Sequence, residues 1–104
     1  MLVFENVFEF QWDKGNIGKN KKHYVADTEI EQIFFDKGRV IFEDLKHTKI
    51  EKRFIILGKT KKGRLLYTVF TKRGKYVRAI SARDINRKEV YLFEKTTEIT
   101  KIQK

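Results

Sequence analysis

Apolar residues along the chain change period repeatedly, and the changes predict a compact series of strands and helices. Val3, Val7, Phe8 and Phe10 alternate unevenly with polar residues and predict one strand, or two short ones, ending at Trp12-Asp13. Asp13, with Asn16 three residues on, predicts a capped helix through Lys22, although Gly15 and Gly18 each cost such a helix about 1 kcal/mol relative to alanine. Thr28 and Glu31 fit a capping box, and Ile30, Ile33 and Phe34 follow on one helical face until Gly38 breaks the run. Arg39 to Asp44 then alternates as a strand, and a polar link containing His47 leads to a second strand, Glu51 to Lys59, apolar on both faces from Phe54 to Leu57. Lys61-Lys62-Gly63 turns into a hairpin of Arg64 to Lys72 with Tyr76 to Ala82, closed by Lys72-Arg73-Gly74-Lys75, where glycine supplies the positive φ that a tight turn needs. Asp84 or Asn86 caps a last helix with Val90 and Phe93 toward the sheet, and Thr96 to Lys104 either extends it or frays. The expected fold class is α+β: a single antiparallel or mixed sheet carrying two N-terminal helices and one C-terminal helix, in one domain over residues 1–104.

Charge sharpens this picture. The chain carries a net charge of +10, and the segment Gly58 to Lys88 alone holds eleven basic residues against one acid, Asp84. The rest is balanced, so the excess belongs to the central hairpin and its flanks, a platform for a polyanion. A second basic face is possible on Lys14, Lys19, Lys21 and Lys22, and a plain solvated lysine-rich helix is the alternative. The chain contains no cysteine, which excludes disulfides and thiolate metal sites. Neither a basic leader with an apolar run nor a membrane span is encoded, so a soluble, cytoplasmic protein without membrane contact is expected.

Cofactor chemistry has little to stand on. Two histidines 24 residues apart argue against a zinc site, no glycine-rich loop has nucleotide-binding spacing, and the only serine, Ser81, sits inside an expected strand. RNA brings its own nucleophile, the 2′-OH, so cleaving it needs a base, an acid and cations for the crowded phosphorane. His47 and Glu51 can move protons, and Arg53, Arg64, Arg73, Arg78 and Arg83 can fork onto phosphate. Each has a simpler reading. His47 can be an ordinary exposed histidine, and Glu51 and Arg53, two apart on a strand, can merely balance charge. Arg78 and Arg83 are five apart, so a regular strand sends them to opposite faces unless a bulge or a strand end intervenes.

The order Phe10-Gln-Trp12-Asp13, Asn20-Lys-Lys22-His23, Glu29-Ile-Glu-Gln-Ile33-Phe34, His47 with Glu51-Lys-Arg53-Phe54, Gly63-Arg64, Phe70-Thr71-Lys-Arg73 and Arg78-Ala-Ile80-Ser81-Ala82-Arg83 resembles the BrnT-type toxins of bacterial type II toxin-antitoxin systems. Tyr24 stands where that family commonly has glycine after His23. The resemblance implies a RelE-like fold and a metal-independent ribonuclease without cofactor. It also implies a BrnA-type antitoxin partner with a ribbon-helix-helix domain, and operator DNA bound through the complex. By the same resemblance the catalytic set falls on His47, Glu51, Arg64, Arg78 and Arg83, and Lys22, Arg53, Lys62, Arg73 and Lys75 are expected to bind RNA. The alternatives are a non-catalytic basic module for nucleic acid or antitoxin, and an inactive relative that keeps the fold.

Overall fold

The computed structural model describes residues 9–46 and 51–102. Within them five strands, β1 (Glu9–Phe10), β2 (Val40–Glu43), β3 (Arg53–Lys59), β4 (Leu65–Arg73) and β5 (Tyr76–Asp84), form one sheet in the order β1-β5-β4-β3-β2. β2 to β5 are an antiparallel meander, and β1 adds to the edge parallel to β5, which makes the sheet mixed. Two α-helices, α1 (Asp27–Ile33) and α2 (Arg87–Ile102), accompany it. No described helix is long and apolar enough to cross a membrane.

The central hairpin lies inside the sheet, as its apolar run on both faces predicts: β4 is third of five strands. One face packs against α1, where Ile30, Ile33 and Phe34 are fully buried together with Ile56, Leu66 and Phe70. Phe34 meets Phe70 edge-on at 5.0 Å, and Phe54 stacks on Phe70 at 5.5 Å. Gly58 lets α1 sit this close, since a Cβ there would lie 2.8 Å from the Ile33 carbonyl oxygen. The opposite face holds Ile55, Leu57 and the α2 residue Phe93, with Val40, Phe42, Leu65, Tyr67 and Val69 around them.

Three expectations need correction. Residues 13 to 22 are not an α-helix but a chain of turns ending in a 3₁₀ helix, Lys19–His23. Local side-chain bonds win there: Gly15 N–H donates to Asp13, Asp13 N–H donates to Asn16 Oδ1, and Gly18 adopts φ 64°. The helical elements therefore number two α-helices and one 3₁₀ helix among the described residues, not three helices. The cap of α1 is shifted as well. Ala26, not Thr28, is the N-cap, and its N–H donates to Glu29, while Glu31 accepts the Trp12 indole N–H at 2.7 Å. Lastly, β3 begins at Arg53 and β4 at Leu65, so Glu51 and Arg64 lie just outside the strands expected to hold them. At α2 the capping box is reciprocal between Asn86 and Glu89. The expected strand before Glu9 lies outside the described residues.

β5 contains one irregularity. Val69 pairs with Ser81 but Phe70 pairs with Ala79, which leaves Ile80 as an extra residue.

Candidate functional site

The bulge decides where the arginines go. Arg53, Thr71 and Arg78 are register partners across β3, β4 and β5, so their side chains share one face. Tyr67, four residues before Thr71, pairs with Arg83. Arg83 is therefore on that same face, although five residues separate it from Arg78. This is the face that carries Phe93 of α2 over Ile55 and Leu57, and the arginine row lies beyond that cover, toward the β4–β5 turn.

At this end Arg73 Nε donates to Glu51 Oε2 at 2.9 Å and its Nη2 to Oε1 at 3.3 Å. Both side chains remain open, Arg73 49% and Glu51 40% exposed, so a ligand can reach the pair. The Arg73 bond holds the Glu51 carboxyl below the usual carboxylate range against the opposing cost of burial, with the charges of Arg73, Arg53 and Arg78 adding to it. Arg78 is more enclosed, 15% exposed, and its Nη1 donates to Asp13 Oδ2 at 2.6 Å. That bond and the Gly15 N–H lower the Asp13 pKa too. Three guanidiniums and two ionised carboxylates thus share one end of one sheet face. Thr71 lies between Arg53 and Arg78 with a buried hydroxyl that has no hydrogen-bond partner. Lys75, paired with Glu9 at 3.4 Å, flanks the group at the turn.

The other expected site residues are elsewhere. Arg83 forks onto Glu89 through Nη1 and Nη2 at 2.9 and 2.8 Å and lies 4.0 Å over the Tyr67 ring. Burial would raise the Glu89 pKa, but Arg83 and the Asn86 N–H together lower it. Arg64 is spent on Asp84, Glu29 and the Tyr24 carbonyl. Lys62 sits in the β3–β4 turn, at the other end of the nine-residue β4, roughly 25 Å from the Arg73 turn at strand rise. Lys22 is exposed on the 3₁₀ helix. His47 lies outside the described residues. Glu51 and Arg53 do share an end of the sheet, but the fork on Glu51 comes from Arg73.

Sequence reasoning missed Asp13, Gly15 and Thr71. The signal for the first two was present in Asp-x-Gly-Asn, a turn composition that was outweighed by the helix-cap reading. A separate groove of about 960 Å³ runs between α1 and the β3–β4 turn, lined by Gln32, Phe35, Lys59 and Lys61 among others. It is on the α1 side of the sheet, away from the arginine row. Among the described residues no cluster of three or more histidine, aspartate or glutamate side chains is placed to hold a metal.

No curated protein matches the chain. A family model described as the ribonuclease toxin BrnT of type II toxin-antitoxin systems matches residues 12–89.

Proposed function

The chain belongs to the BrnT ribonuclease-toxin family, and we propose that it cleaves RNA without a metal, through attack of the 2′-OH on the adjacent phosphorus. The observation that carries this reading is the arginine row: Arg53 and Arg78 flanking Thr71, with the Arg73–Glu51 pair beside them. Forked cations at one place suit a phosphate that gains charge in the phosphorane. Arg83 and Arg64, whose donors are committed to Glu89, Asp84 and Glu29, hold the frame in this reading.

Proton transfer falls to Glu51 and His47. A carboxylate held down by Arg73 is a weak base in the free protein. RNA changes that, because a phosphate that takes Arg73 for itself releases Glu51 and lets its basicity rise. Substrate binding then prepares the base, and His47 protonates the leaving 5′ oxygen. The toxin acts as one domain with a RelE-like fold in the cytoplasm.

A type II family implies an antitoxin partner. In this reading it is a ribbon-helix-helix protein of the BrnA type that covers the basic surface and carries the pair to operator DNA, with Lys22 and Lys62 adding charge toward nucleic acid.

Incubation of the purified chain with a ribo-oligonucleotide in EDTA tests the mechanism. Products ending in a 2′,3′-cyclic phosphate are expected. Intact RNA would favour the non-catalytic module, and a requirement for Mg²⁺ would defeat the metal-free route.

A further inference from the structure

The turn that follows β1 is built around the Arg78 guanidinium. Asn16, 3% exposed, donates from Nδ2 to the carbonyls of Gln11 at 2.9 Å and Ala79 at 3.2 Å, which staples the turn to β5 beside the bulge. Asn16 Oδ1 accepts the Asp13 N–H at 2.8 Å, so the same side chain fixes the Asp13 backbone. One Asp13 carboxylate oxygen accepts the Gly15 N–H at 2.8 Å, and the other faces Arg78 Nη1 at 2.6 Å. Gly15 does not have a positive φ, so its backbone does not require glycine. The space favours it: a Cβ at Gly15 would lie 2.5 Å from Arg78 Nη2 and would push that end of the side chain aside.

Donor accounting separates Arg78 from its neighbours. Arginine has five N–H donors. Arg83 commits both terminal nitrogens to Glu89, and Arg64 commits Nε to Asp84 and Nη1 to Glu29 and Tyr24. Arg78 commits Nη1 alone, to Asp13, and its Nε and Nη2 have no hydrogen-bond partner among the described residues. An enclosed cation held by one nitrogen presents a preset edge to an incoming anion.

We infer that Asp13 and Gly15 are positioning residues, which hold the Arg78 guanidinium at a fixed angle toward the phosphate of bound RNA. The inference rests on Arg78 serving the phosphate, as the proposed function has it. The competing account makes Asp13 a surface charge partner only. The two differ in the quantity they move, KM for the charge alone and kcat for the clamp. Removing one negative charge from a basic surface should by itself tighten RNA binding, whereas loss of the clamp should lower turnover.

The test uses the full chain with Asp13→Asn, Gly15→Ala, Arg78→Ala and the two doubles with Arg78→Ala. Gly15→Ala keeps the Asp13 charge while crowding Arg78 Nη2 at 2.5 Å and Asp13 Oδ1 at 3.2 Å, so it disturbs the position of the clamp without changing its charge. Two readouts are taken: kcat and KM on a ribo-oligonucleotide, and ¹⁵N NMR of the Arg78 Nη groups. Restricted rotation of those groups is expected in the parent and averaging in both single variants. kcat is expected to fall about 10- to 100-fold with KM unchanged or lower for Asp13→Asn, and neither change should cost more than about twofold once Arg78 is alanine. Restricted rotation that persists in both single variants would overturn the inference. So would kcat within about twofold of the parent in both, with Arg78→Ala inactive. If Arg78→Ala turns over like the parent, the phosphate role assigned to Arg78 fails instead, and with it the catalytic part of the inference. The rotation readout still decides whether Asp13 holds the guanidinium.

Discussion

Glu51→Gln should improve RNA binding and damage turnover at once. In the folded chain Glu51 occupies both Nε and Nη2 of Arg73, so RNA must displace a carboxylate to use that arginine. Glutamine keeps the size and removes the charge. One cation becomes available for one further phosphate contact, which for single strands steepens the slope of log K against log salt by about 0.7 and is worth about fivefold in affinity at 0.1 M salt. Turnover should move the other way, falling by about 10² to 10⁴, the usual scale for loss of a general base. Fluorescence anisotropy with a 2′-deoxy-substituted, uncleavable oligonucleotide across a salt series measures the first effect. Single-turnover cleavage of the ribo form measures the second. Acid offers a control on the sign. The Glu51 pKa is depressed below its ordinary 4.5, so the Arg73 pair is complete above that value and is lost as pH falls through the lower folded value. The parent should therefore gain affinity only in that acid window, and Glu51→Gln should show no such gain. An unchanged or shallower salt slope in Glu51→Gln would refute the competition between carboxylate and phosphate. Arg73→Ala is no clean binding control for the same reason: it unpairs Glu51 as well.

Gly58→Ala should destabilise the fold by about 1–3 kcal/mol in urea unfolding, the usual range for overpacking, because the clash is with the Ile33 backbone and side-chain trimming cannot relieve it; a loss under about 0.5 kcal/mol would show that α1 shifts freely. Tyr24 is a non-glycine residue at φ 58°. Left-handed backbone costs such a residue about 1–2 kcal/mol, and the added freedom of unfolded glycine offsets about 0.4–1 of that, so Tyr24→Gly should gain up to about 1.6 kcal/mol in the same assay. Glu89→Gln should lower the unfolding midpoint without tightening RNA, since Arg83 is bound into the start of α2 and the Tyr67 ring. Tighter RNA binding in that variant would return Arg83 to the phosphate site.

The helix α1, the hairpin and the capped start of α2 were legible because their signals are local. Ile30, Ile33 and Phe34 repeat with helical spacing, and Asn86 and Glu89 cap each other within one turn. The stretch from Asp13 to Lys22 was misread because cap chemistry and turn chemistry use the same residues. What selects the turn is Asn16 bonding to Ala79, 63 positions away, and no window of sequence contains that partner. The arginine row was half legible. Composition located the cations on the hairpin, but the fork of Arg73 onto Glu51 and the pairing of Arg53 with Thr71 depend on register. Tyr24 gave the reverse lesson. Its place after His23, where the resemblance implied glycine, falls on a left-handed residue that closes the 3₁₀ helix and leaves its carbonyl to Arg64.

The extra residue Ile80 gives β5 a parity. Its turn-side half, Tyr76 to Ala79, and its helix-side half, Ser81 to Asp84, each alternate regularly, but they are out of step by one. Deleting Ile80 would remove the bulge and leave Arg78 and Arg83 four apart on a regular ladder, still on one face. Adding one residue between them while the bulge stays would put them on opposite faces, and either Arg78 would leave the Asp13 turn or Arg83 would leave Glu89. Length variation in this strand is therefore constrained by the match between residue count and bulge before it is constrained by size.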